Sequence, residues 1–200
     1  MFALVESGSI TKFLNGNRGI QIGDLKYPRA IYTVWTEAER NAIGIYSIVY
    51  DDTNKKDDKW YINTNQSYAF ANNKVTATYG TATAKAHADA NFTAEDEENG
   101  LGTEGEVATR GLKYNLIQTV KAQAAGELAR TDWYITRKTE KSTAIPSAIT
   151  THRNLVRSRQ AAMETSITNA SDTPALETLY TYTTDSDGVH SRPLAEIPNL

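Results

Sequence analysis

Apolar side chains in this 200-residue chain follow two different periods, and the switch between them falls near residue 107. A strand presents alternate residues to one face and a helix every third or fourth, so no single kind of element satisfies both patterns. Up to about residue 80 the apolar positions come in short runs rich in β-branched and aromatic residues, with two of the three tryptophans and most of the tyrosines. Beyond the switch Leu112, Leu116, Val120, Ala124 and Leu128 recur every four residues, the stripe of an amphipathic helix. The chain is therefore expected to be α+β. Residues 1–80 form a small, mainly antiparallel β module with one short helix, 81–106 a flexible tether, and 107–200 a helical hairpin module with an extended tail.

Local signals fill in the β module. The runs at 2–6 and 10–14 are joined by Ser7-Gly8-Ser9, a hairpin signature. Thr36 and Glu39 have capping-box spacing, and Gly44 sits where a left-handed cap belongs, so 36–43 reads as a two-turn helix. It feeds the continuous apolar run 45–50, expected as a well-buried strand. Strands follow at 60–62 and 66–70, and Asn72-Asn73 offers a tight turn into 75–79, because asparagine tolerates positive φ.

Residues 81–106 are small, acidic and weakly patterned, a composition that buries too little surface to order itself. Beyond the first long helix, a second is expected over 149–170, behind Pro146. Leu155, Val156, Ala162, Met163 and Ile167 should share its apolar side. Ser171-Asp-Thr-Pro174 starts a third, short helix, and Asp187-Gly188 makes a turn before the tail.

Composition removes whole classes of chemistry. With no cysteine there is no disulfide, thiolate nucleophile or cysteine-ligated metal. No run approaches the roughly 20 apolar residues that cross a bilayer, and the first residues lack the pattern of a secretory leader. A net charge of −3 from 21 basic and 24 acidic residues provides no field for nucleic acid. The glycine pairs Gly16/Gly19 and Gly100/Gly102 lack the strand-to-helix context of a nucleotide loop. The acidic clusters at 51–58 and 95–98 lack the alternation of a calcium loop. His87, His152 and His190 fall in separate segments with no nucleophile or metal signature. The expectation is a non-enzymatic protein with no cofactor and no metal.

One stretch is more specific. A long helix ends in Leu128-Ala-Arg-Thr131-Asp132-Trp133, followed by Arg137 and Glu140, Pro146, and then Arg153 and Arg157 on the next helix. This pattern resembles the C-terminal module of tailed-bacteriophage tail-fibre assembly and tail-assembly-chaperone-like proteins, although His152 stands where that family usually has tyrosine. The closing Arg192-Pro193 to Ile197-Pro198 resembles its proline-containing tail, with Ile197 in place of the usual tryptophan. The hairpin at 2–14, Asp24-Leu25 and Tyr27-Pro28 resemble its opening. The likeness covers 110–160, and more thinly 1–30. It implies a protein that binds tail-fibre or baseplate subunits, as an assembly chaperone in the host cytoplasm or as a component, single or oligomeric, retained in the virion tail.

The same residues have a structural reading. Thr131 or Asp132 can cap the turn between helices, and Trp133 would bury about 200 Å² and clamp them. Arg137 and Glu140 lie close enough to pair across one turn. Arg153, Arg157 and Gln160, with Arg159 close by, mark the wet face of their helix. An intramodule clasp and a partner contact both remain open here. Two other functions also stand: a purely structural virion adaptor, and a host-surface glycan-binding module stacking sugars on Trp35, Trp60, Tyr61 and Tyr68.

Overall fold

Two residues with positive φ, Ser7 (52°) and Gly8 (78°), close strand β1 (Phe2–Glu6) onto β2 (Ser9–Leu14). This is the backbone that a two-residue hairpin requires. The computed structural model describes residues 1–64 and 66–200, and the chain divides into two compact units, Met1–Thr83 and Ala84–Leu200. The α+β reading holds: β-rich first, helical second.

In the first unit β3 (Ile20–Ile22) pairs with β4 (Leu25–Tyr27), and helix α1 (Glu37–Ala42) begins in the expected capping box. Glu39 N donates to Thr36 Oγ1 at 3.3 Å and Thr36 N to Glu39 Oε2 at 2.7 Å. Gly44 (φ 81°) then turns the chain into β5 (Ile45–Asp51). A Cβ there would lie 2.6 Å from the Val5 carbonyl, while the Gly44 carbonyl accepts from Val5 N at 2.8 Å, so only glycine fits. After the short β6 (Tyr61–Ile62), the Asn72-Asn73 turn (φ 51° and 56°) joins β7 (Ser67–Ala71) to β8 (Lys74–Thr78).

The five-stranded sheet runs β2-β1-β5-β8-β7, antiparallel except for the parallel pair β5/β8. Strand alternation divides β1 between two cores. Leu4 joins Leu14, Ile20, Ile31, Tyr32 and Ile45 on one side, and Ala3 and Val5 join Ile48, Val75 and Ala77 on the other. On that second side the edge strands β2 and β7 approach each other, with Phe13 packed on Tyr68 at 4.5 Å between ring centroids, so the sheet curls over its small central residues. The 45–50 run is buried only in part: Ile45 and Ile48 are, but Val49 and Tyr50 are 40% and 48% exposed.

The second unit overturns the expected tether, because residues 84–111 are folded. Strand Ala90–Asn91 pairs with Val107–Thr109, and helix α2 (Ala94–Glu98) sits between them, capped by Thr93 and Asp96. Order comes from hydrogen bonds rather than from burial. Helix α3 (Leu112–Ala129) starts with amides that have no partner inside the helix. The arm supplies one for each of three: Asp89 Oδ1 takes Gly111 N (2.8 Å), Ala86 O takes Leu112 N and His87 O takes Lys113 N. Thr173 Oγ1 donates to Lys85 O at 2.6 Å and secures the start of the arm.

The helical module is a hairpin of α3 and α5 (Ser147–Asn169), with the short α4 (Asp132–Lys141) at its bend and α6 (Thr173–Tyr180) after it. Lys113 bonds the Thr168 carbonyl, Lys121 lies 3.8 Å from Glu164, and Glu127 meets His152, so α3 and α5 run antiparallel. Val120 and Ala124 of α3 and Val156, Met163 and Ile167 of α5 are almost fully buried. Two expectations fail here: Leu155 and Ala162 of α5 are exposed.

Candidate functional site: the bend between α3 and α5

The four-residue stripe of α3 cannot stay in register with a straight partner, because four residues turn the helix about 400° and the stripe drifts about 40° per repeat. By the last turn the buried position has passed from Leu128 to its neighbour Glu127, which is only 8% exposed. Its carboxylate is fully used. Oε2 accepts from Arg130 Nη1 (2.9 Å), while Oε1 accepts from Leu200 N (2.8 Å) and lies 3.0 Å from His152 Nε2. Burial pushes the Glu127 carboxyl up. Hydrogen bonds from Arg130, Leu200 N and His152 outweigh it and hold the group below its ordinary range. The tail is thereby drawn across the hairpin, with Leu194 buried and its amide on the Leu179 carbonyl. A cleft of about 410 Å³ remains between Glu127, Tyr182, Arg192 and Glu196.

One turn further on, the expected motif comes together in part. Thr131 is fully buried, and its hydroxyl donates to Leu128 O at 3.0 Å. Arg153 was expected on the wet face of its helix but occupies the seam, with its side chain 9% exposed. Its Nη1 reaches Leu128 O (2.8 Å), Thr131 Oγ1 (2.7 Å) and Asp132 Oδ1 (2.8 Å). A cation is favoured at the carbonyl end of α3 and a carboxylate at the amide start of α4, and this one guanidinium joins both. Thr131, Asp132 and Arg153 are therefore a structural clasp. The seam position of Arg153 follows from α5 spacing, since Ile149, Arg153, Val156, Met163 and Ile167 fall alternately on one face.

Trp133 does not clamp the helices; it is 51% exposed. It lies against Tyr134 (centroids 3.8 Å apart), and Arg137, one turn on, places its guanidinium 4.6 Å from the Trp133 ring and 5.2 Å from Tyr134. Arg137 is thus engaged with rings. No Arg137–Glu140 ion pair is found among the described residues, and Glu140 stands in solvent. Arg157 is exposed, with one long contact (3.5 Å) to the Arg153 carbonyl. Of seven expected residues, three meet in the clasp, two form a surface and two join neither.

The sequence reading passed over Tyr134, whose ring completes that surface. Ile135 is 41% exposed, and none of the ten residues of α4 is buried. The aromatic set proposed for sugar stacking fares differently. Trp60 and Tyr61 are 3% and 5% exposed, so their faces are closed to a ligand, while the partly buried Trp35 packs against Tyr27 and Tyr68 against Phe13. Among the described residues no group of histidine and carboxylate side chains has the arrangement to hold a metal ion, and no helix is long and apolar enough to cross a membrane. What the bend presents is a rigidly anchored helix with a bare aromatic, apolar and basic face. No family model, curated protein or solved structure matches the chain.

Proposed function

We propose that this chain is a non-enzymatic binding protein of a phage tail, one that holds a tail-fibre or baseplate subunit on the exposed face of α4. A single observation carries the reading: Trp133, half exposed, stands with Tyr134 and Arg137 on a helix with no buried residue, anchored at its first residue by the Arg153 clasp. Aromatic and arginine side chains are the groups that dominate protein–protein contacts when a partner removes their water. The resemblance of residues 128–157 to tail-fibre assembly proteins supplies the partner class. In the chaperone form, α4 covers apolar surface on an unassembled fibre tip and is released.

Co-expression with a tail-fibre subunit is expected to raise the yield of soluble fibre trimer, and equal yield without it would sink the chaperone form. The retained form draws support from the ordered 84–111 arm, which gives the chain a fixed surface of the kind an adaptor needs. Mass spectrometry of purified particles separates the two. Stoichiometric recovery marks a virion component, and absence from the particle marks a released chaperone.

A further inference from the structure

Helix α4 is too short to persist in water unaided, since isolated helices below about 12 residues are marginal. None of its ten residues is fully buried; the Arg153 clasp holds its first residue, and Tyr134 and Arg137 are partly covered. Beyond Trp133 and Ile135 it carries Arg137, Lys138 and Lys141, and none of the three makes an ion pair among the described residues. One side of the helix carries Trp133 and Tyr134 at its start and Lys138 and Lys141 towards its end, with Glu140 at its margin.

The same unit holds a surface of the opposite sign. Residues 94–106 contain six carboxylates and neither lysine nor arginine. Asp96 serves the Thr93 cap and Glu97 accepts from Glu104 N. Glu95, Glu98, Glu104 and Glu106 have no ion pair among the described residues. Beside them Leu101 is 64% and Val107 37% exposed. Each surface therefore sets unpaired charges of one sign next to bare apolar side chains, and the two are complementary.

We propose that a second copy of this chain occupies the α4 face: the acidic arm of one copy seats on α4 of the next. Leu101 lies against Trp133 and Tyr134, and the arm carboxylates lie over Lys138 and Lys141, which share that side of α4. Apolar burial supplies the non-directional part of the attraction, and opposite charge selects the arm over other surfaces. The two patches differ, so the contact is heterologous; each added copy leaves one free arm and one free α4 until a ring closes. The contact does not rest on the fibre reading. A fibre subunit that uses α4 would compete with the neighbouring copy, so self-association and fibre binding are separately measurable.

Sedimentation velocity on the full chain tests it, at about 0.05 M and about 0.5 M salt, a range over which the screening length shortens roughly threefold. Wild type is expected to sediment as a species heavier than the monomer at low salt and as monomer at high salt. Lys138→Glu/Lys141→Glu and Glu95→Lys/Glu98→Lys chains should each stay monomeric at low salt. Mixed together, they should associate again through the one interface whose charges are both reversed. Circular dichroism identical to wild type shows that the variants fold. A wild-type chain that stays monomeric at low salt overturns the proposal. So does self-association of either folded variant at wild-type strength, or failure of the mixed pair to associate.

Discussion

Arg153 shows how far one side chain can act when it is buried beside a helix end. Its guanidinium serves a carbonyl of α3, a buried hydroxyl and the first carboxylate of α4, and hydrogen bonds to a charged group contribute more than neutral ones. Arg153→Ala is expected to destabilise the helical unit by about 2–4 kcal/mol, because Thr131 and the Leu128 carbonyl lose a buried partner. Arg157→Ala, exposed one turn along, should stay within about 0.5 kcal/mol of wild type. Urea denaturation followed at 222 nm compares them, and equal losses would refute the clasp. Glu127 gives the same bend a pH response. Its folded carboxyl titrates below its ordinary value of 4.5, so its contribution is present above that value and is lost as pH falls through the lower folded one. Glu127→Gln should remove this part of the acid dependence, seen as a flatter fall in urea midpoint between neutral pH and pH about 3.

Elements were legible where one segment carried all the information needed. The Ser7-Gly8 and Asn72-Asn73 turns and the Thr36–Glu39 box are decided by neighbours in sequence, and each is found where its residues place it. The phase of a helix seam is not decided that way. Val156 lies inside as expected, but Arg153 rather than Leu155 joins it. The spacing of Ile149, Val156, Met163 and Ile167 includes position 153, while a charged side chain argues for solvent until its partners on α3 and α4 are known. For the motif, the resemblance to tail-fibre assembly proteins brings Thr131, Asp132 and Arg153 into view as a set but carries no signal for burial, so the half-exposed Trp133 is expected inside. The 84–111 arm was illegible for another reason. Its order depends on α3 amides more than 20 residues away, as in the Asp89–Gly111 bond, rather than on its own hydrophobicity. The hydrogen bond from Gly111 N, with that from Arg110, holds the Asp89 carboxyl below its usual range. Asp89→Ala should therefore unfasten the arm while leaving α3 helical. Hydrogen exchange would report faster labelling at residues 86–92 and at the Leu112 and Lys113 amides, with amides beyond residue 120 unchanged. Uniform acceleration through α3 would mean that the arm props the whole helix.

Across the whole molecule, stability and recognition fall on different side chains of one short stretch, and substitutions can separate them. The clasp holds α4 by its first residue from the seam, whereas about half of the Trp133 side chain is open to solvent. A buried tryptophan replaced by alanine costs about 3–5 kcal/mol, and a surface substitution rarely moves stability by more than about 0.5 kcal/mol. Trp133 is half exposed, and its ring packs on Tyr134 and Arg137 of its own helix, which puts it close to the surface case. Trp133→Ala is thus expected to leave the urea midpoint of the helical unit within about 1 kcal/mol of wild type. The same substitution should abolish the gain in soluble fibre trimer on co-expression. Arg153→Ala should do the reverse in order of severity, losing stability first and fibre binding only as α4 loosens. If Trp133→Ala instead unfolds the unit, the exposed ring is part of the core and α4 loses its claim to a partner. If the variant is stable and fibre yield is unchanged, the partner binds elsewhere on the chain.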